Sequence, residues 1–198
     1  MKSVLNAGAR RQLEATAASM GAEKLEAAAK AIRLRTEDSA EPPAAALSAT
    51  GTGQPLANYL AAKRVGDLLY VSGVIAVDPA AGQVISRYED LPASAIAQLR
   101  SIGYCTGQMS VDIFEAPIVA QSWFVLQRIQ AIAAEHGAQM HQAFKLVQYF
   151  RDLRHYPAYN RVRNLFCPAG VVSTVVEVSR MLPSDEVLIE VEATIALV

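Results

Sequence analysis

The sequence predicts an α+β layer, a sheet with helices on one face, and three observations carry that expectation. The run 187–196 alternates with a period of two, which puts Ile189, Val191, Ala193 and Ile195 on one side and Leu188, Glu190, Glu192 and Thr194 on the other. A long stretch after Pro117 repeats apolar residues at three- and four-residue steps, the signature of a helix with one buried side. The elements then follow one another as β, β, short β, α, β, α, β, β, an order in which both helices need a sheet to lie on. The opposite sheet face is left needing a partner, which argues for an oligomer.

Composition bounds the rest. With 198 residues, 52% of them hydrophobic and 19% charged, the chain can bury a proper core, and its length suits one domain with an appendage. The net charge of −1 supplies no global attraction for nucleic acid or an anionic membrane. Cys105 and Cys167 are too few for a disulfide framework and lack metal-ligand spacing. No apolar run reaches the ~18 residues of a membrane span, and the N-terminus lacks the apolar core of a signal peptide. The expectation is a soluble cytoplasmic protein with no membrane partner.

In chain order, residues 3–34 read as two helical pieces pivoting near Gly21, a packing arm (1–35), and residues 36–54 as an extended connector rich in Pro, Ala and Gly. The compact domain begins at Pro55. Val65-Gly66-Asp67 reads as strand, tight turn, strand, with Leu68 to Ile75 a buried strand ending around Ser72-Gly73. Asp78-Pro79…Gly82 supplies a turn with a short strand, 83–86, behind it. Pro92 to Ile102 suits a short helix with Ile96 and Leu99 inward, stopped at Gly103. Residues 103–107 show no period, and Cys105 there is a weak candidate nucleophile. The long helix buries Ile118, Ser122, Val125, Leu126, Ile129, Ile132 and Ala133 and closes at His136-Gly137, with Trp123 and Phe124 free to meet a neighbouring subunit. Strand 144–151, a proline-started helix 156–166 and strands 171–178 and 187–196 complete the chain.

The pieces Asn58-Tyr59, Val65-Gly66…Ser72-Gly73, Asp78-Pro79…Gly82, Gln121, Tyr159-Asn160…Phe166 and Leu182-Pro183…Glu190-Val191-Glu192-Ala193 stand in an order and spacing that resemble the YjgF/RidA family, also labelled endoribonuclease L-PSP. The likeness runs from about 55 to 198 and leaves out residues 1–54 and the stretch near 87–115. It implies a chorismate-mutase-like α+β fold, a mixed sheet with two main helices on one face, and a barrel-like homotrimer with clefts between subunits. It also implies cofactor-free hydrolysis of reactive enamines and imines to keto acids and ammonia. Carried over by position, the catalytic group is Glu190, with Tyr59, Ser72 and Asn160 lining the cleft. The arginine that clamps a substrate carboxylate in the family is missing. Ser173 stands in its place, or Thr174 if the hairpin slips by one. Neither forms the bidentate charged pair, worth ~1.5–3 kcal/mol, that an arginine gives. Arg163, Arg180 or Arg64 are the candidates to supply a charge from another direction.

A carboxylate at Glu190 in a partly dry cleft suits proton transfer between water and an imine nitrogen, with Tyr59 and Ser72 orienting that water or binding a developing oxygen charge. The plain alternative is that Glu190 and Glu192 solvate an outer strand face and that Asn160 bonds a neighbouring turn. Two other functions compete. One is a non-catalytic trimer that binds a small metabolite. The other is RNA cleavage, for which Lys145, Arg151, Arg154, His155, Arg161 and Arg163 form a basic region without any stacking-aromatic motif, so the sequence argues against nucleic acid. His136, His141 and His155 have no metal-ligand spacing, and no cofactor motif is present.

Overall fold

The computed structural model describes residues 59–197. The arm at 1–35, the connector at 36–54 and Asn58 therefore lie outside the described residues. Seven strands and four α-helices follow: β1 Ala62–Val65, β2 Leu68–Ile75, β3 Val77–Asp78, β4 Gln83–Val84, α1 Ala93–Ser101, α2 Met109–Phe114, α3 Ala116–Glu135, β5 Ala143–Phe150, α4 Tyr156–Phe166, β6 Val172–Glu177 and β7 Ile189–Ala196.

The main sheet has the order β1-β2-β7-β5-β6, and β3 and β4 form a separate two-stranded ribbon. All main-sheet pairs are antiparallel except β5 with β6, which run parallel. The parallel pair requires a crossover, and α4 provides it. The last strand thus threads between β2 and β5, so β7 has a neighbour on each side.

The local chemistry explains each element. Gly66 takes a positive φ of 61° in the β1–β2 turn, which a side chain would strain. Asp78 accepts the Ala80 amide at 2.8 Å through Oδ1, while its own carbonyl accepts Gly82 N–H at 2.8 Å, closing the turn before β4. Pro117 opens α3, His136 caps its end, and the His136 ring lies 2.9 Å from the Ile132 carbonyl, with Gly137 at φ 73° beyond.

The apolar side of β7 is the centre of the core. Ile189, Val191, Ala193 and Ile195 are buried with Leu69, Val71, Leu146 and Phe150 of the flanking strands, under Ile118, Val125, Leu126 and Ile129 of α3 and Tyr159, Val162 and Phe166 of α4. Both long helices therefore cover one sheet face. Gln121 is fully buried on α3 yet satisfied, for its Nε2 donates to the Glu186 carbonyl and its Oε1 accepts from Leu188 N, each at 2.8 Å. One amide thus pins the helix to the segment entering β7.

Four expectations are corrected. Strand β2 does not end at Ser72-Gly73 but continues to Ile75 through a register shift between Val71 and Val74. The strand expected over 83–86 is only two residues long. In α1 it is Ala95 with Leu99 that is buried, and Ile96 is only partly covered. Trp123 is not turned to a neighbour: it is 5% exposed, its Nε1 donates to Gln98 Oε1 at 2.8 Å, and its ring meets Phe166 edge-on. The helix stripe has two aromatic flanks, and Gln98 of α1 and Phe166 of α4 close over Trp123.

Candidate functional site on the open face of the sheet

The sheet face away from the helices carries the polar residues, and the strand register orders them in rows. Tyr70, Thr194, Lys145 and Val172 form one row. Glu192, Val147 and Thr174 form the next. Ile75, Glu190, Tyr149 and Val176 form the third. Side chains two apart on β7 share this face, so Glu190 and Glu192 are same-strand neighbours.

Glu190 is half-buried, with its carboxylate flush against the backbone of Gly73: a Cβ on residue 73 would lie 2.8 Å from Glu190 Cδ and closer still to Oε1. The register shift in β2 places that bare glycine beside the acid. Burial pushes the Glu190 carboxyl above its ordinary range, and the charge of Glu192 adds to the push. Across the strand pair, Tyr149 donates its hydroxyl to Glu192 Oε1 at 3.1 Å. Burial and then the Glu192 charge raise the Tyr149 phenol in turn.

Beside these rows lies an open hollow of about 640 Å³ whose lining includes Tyr59, Lys63, Ser72, Gly73, Lys145 and Glu192. Tyr59 is 47% exposed at its rim. Ser72 Oγ donates to the Leu60 carbonyl at 2.7 Å, and Ser72 N to the Ala61 carbonyl at 3.0 Å. The serine therefore ties the segment before β1 to β2. With its proton committed to Leu60, its oxygen is an acceptor, so it does not serve as a donor to a developing oxygen charge in this geometry.

Of the remaining site candidates, Ser173 and Thr174 lie on the edge strand β6 and Asn160 and Arg163 on α4. Ser173 pairs with Leu146 on the helix side, and its Oγ donates to Oε1 of the fully buried Gln148 at 3.0 Å. Thr174, next in sequence, is on the open face in the Glu192 row. Asn160 and Arg163 sit half-buried on α4, and Asn160 Oδ1 and Arg163 Nε have no hydrogen-bond partner among the described residues. Within one chain the fold thus brings Tyr59 and Ser72 to the hollow, with Glu192 on its wall and Glu190 one row further along β7, and leaves Ser173 and Thr174 on β6 and Asn160 and Arg163 on α4.

The alternative cations are mostly engaged. Arg64 Nε donates to the Gly66 carbonyl at 2.9 Å, and Arg180 lies within electrostatic reach of Asp185. In the basic region, Arg151 pairs with Asp185 at 2.6 Å, Arg154 with Asp152, and Arg161 donates to the Ile102 carbonyl while stacking 4.7 Å from the Tyr104 ring centroid. Those pairings break the basic stretch into separate local contacts. Cys105 does not suit a nucleophile: burial, then the Asp112 charge, pushes its thiol up to about 11.

Sequence reasoning missed Tyr149 and the role of Gly73. Tyr149 had a signal, since the alternation of β5 sets it on the face of Lys145 and Val147. Gly73 had none, because the register shift that brings it under Glu190 is a property of the paired strands.

Two helices over one face of a mixed sheet, with a half-buried glutamate on the bare face, define a chorismate-mutase-like α+β protein. Comparison with known proteins gives the family. The family model described as endoribonuclease L-PSP matches residues 92–197. A RutC family protein of Pyrococcus abyssi is 30% identical over 141 residues, 71% of this chain and 87% of the relative. The structure of a candidate endoribonuclease from Klebsiella pneumoniae superposes with a TM-score of 0.64 at 47% identity, over 70% of this chain and 99% of that one. TdcF of Escherichia coli superposes with a TM-score of 0.53 at 19% identity, over 73% and 91%, and shares the fold. The chain belongs to the endoribonuclease L-PSP family, that of the YjgF/RidA proteins.

Proposed function

We propose that this chain hydrolyses a reactive enamine or imine in a cleft completed between subunits of a homotrimer, without a cofactor. The observation that carries the reading is Glu190: a carboxyl half-buried against Gly73, raised by burial and by Glu192, on the face that the helices leave bare. A carboxyl held above its ordinary range keeps its proton more readily than an exposed one, as a group that passes a proton to a leaving nitrogen must. In the reaction, water adds to the C=N carbon, the C–N bond breaks, and the nitrogen leaves as ammonia while its carbon becomes a carbonyl. Glu190 passes the proton between water and nitrogen. Ser72, with its lone pairs free, accepts from that water or from the substrate N–H, and Tyr59 lines the rim.

A homotrimer would complete the cleft by joining residues that one chain keeps apart. In such a ring the β6 edge of one chain, with Ser173 and Thr174, would stand beside the β1-β2 side of the next, with Tyr59 and Ser72. Exposed apolar residues at both edges, Val172 and Val176 on β6 and Leu60 and Val65 around β1, favour such a join. Ser173, its hydroxyl turned to Gln148, gives no clamp for a substrate carboxylate, so the substrate is atypical for the family. A reducing, cytoplasmic setting belongs to the same reading, both cysteines being free thiols.

The test is ammonia release from freshly generated 2-iminobutyrate, 2-aminoacrylate and uncharged imines. Turnover above the buffer rate, with neutral imines favoured, supports the reading. A second reading, a metabolite-binding trimer without catalysis, is favoured by the engagement of both Ser72 and Ser173 in internal hydrogen bonds. TdcF, a fold relative, was crystallised with bound serine. Tight metabolite binding with no turnover of any imine would select that second reading. RNA cleavage, the third, is tested by binding whose affinity falls steeply with salt.

A further inference from the structure

The open face holds a contact that the proposed chemistry has not used: Tyr149, diagonal to Glu192 and directly opposite Glu190. A glutamate on a bare strand face ordinarily turns its carboxylate into water, and its charge is then screened from its neighbours. Glu192 is held instead. The ring that holds it is itself fixed, because Tyr149 packs with Ile75, Val84 and Val178 against a second small apolar cluster of Val77, Met181 and Val187. Glu190 stands at the margin of that cluster, between Ile75 and Tyr149.

We propose that Tyr149 is a positioning residue: by tethering Glu192 on the face that Glu190 shares, it holds a fixed negative charge two residues along β7 from the Glu190 carboxyl, and the two acids act as a coupled pair. The surroundings support this coupling. Strand β2 presents only Gly73 and Ile75 to Glu190, and β6 only Val176 in its row. On β5, Lys145 is four residues from Tyr149 and lies in the row of Thr194, beyond Glu192. On the segment before β7, Asp185 is paired with Arg151, within reach of Arg180, and the Glu186 carbonyl is taken by Gln121. Besides burial, the charge among the described residues that acts on Glu190 is that of Glu192, and it acts to keep the proton on. The bare backbone of Gly73 leaves Glu190 no side chain on β2 to pair with.

This deepens the enzymatic reading and rests on Glu190 as its acid–base group, but its test does not depend on turnover. In full-length protein labelled at the glutamate carboxyl carbons, the NMR titration of Glu190, assigned by its loss in Glu190→Gln, is compared in wild type, Tyr149→Phe and Glu192→Gln. Tyr149→Phe keeps the ring that fills the cluster, and an unchanged amide spectrum verifies the fold. The expected result is a fall of the Glu190 midpoint in both variants, larger in Glu192→Gln and on the order of half a pH unit in Tyr149→Phe. A Glu190 midpoint in Tyr149→Phe equal to or above wild type overturns the pair and leaves the catalytic assignment standing. Full activity of Glu190→Gln removes the assignment and leaves the pair.

Discussion

Glu190 and Gly73 are in direct contact across the β2–β7 pair, the acid lying where a side chain at 73 would be. That relationship sets both the burial of the carboxyl and its proton affinity, and it makes the pair testable. Gly73→Ala drives a methyl into Glu190 and should cost about 1–3 kcal/mol, as overpacking does. Thermal melts of the single variants and of Gly73→Ala/Glu190→Ala check it: the double variant should regain most of what Gly73→Ala loses, and additive losses would contradict the contact.

Because the folded protein holds the Glu190 proton more tightly than the unfolded chain does, stability from this group is full below the ordinary carboxylate value of 4.5 and is lost as pH rises through the raised folded value. Glu190→Gln removes that loss. Its melting temperature relative to wild type should therefore be higher at pH 8 than at pH 4. A constant difference across that range would mean that Glu190 ionises as it does in water.

Gln121 should matter out of proportion to its size. Gln121→Leu leaves the Glu186 carbonyl and the Leu188 amide without their partner in a partly buried setting, and roughly 1–3 kcal/mol is the expected loss. Urea unfolding measures it. A change below ~1 kcal/mol would show that water satisfies both groups.

Cys105, with its thiol near 11, should react with iodoacetamide at pH 8 roughly 100-fold more slowly than an unperturbed thiol, gaining about tenfold per pH unit up to that value. Mass spectrometry of timed reactions reads the rate. Labelling at the speed of free cysteine would place the thiol in water.

Much of this fold was legible because its signals are local. The alternation of β7, the stripe of α3 and the proline that opens α4 each follow from a period or a cap. The position of β7 between β2 and β5 is not local, and neither is the register shift that sets Gly73 under Glu190. Period two identified the face of Glu190, but it equally allowed a solvated carboxylate. The partners that decide between the two, Gly73 and Tyr149, are supplied by different strands. Ser173 and Thr174 show the same limit: adjacent in sequence, they fall on opposite faces, and pairing with β5 decides which.

The role of Glu190 as the acid–base group is tested most directly by kcat/KM for ammonia release from a freshly generated imine, wild type against Glu190→Gln, in the purified full-length chain. Loss of a positioned acid–base group should lower kcat/KM by 100-fold or more, with the fold and the solution mass unchanged. Equal rates in the two proteins would contradict it.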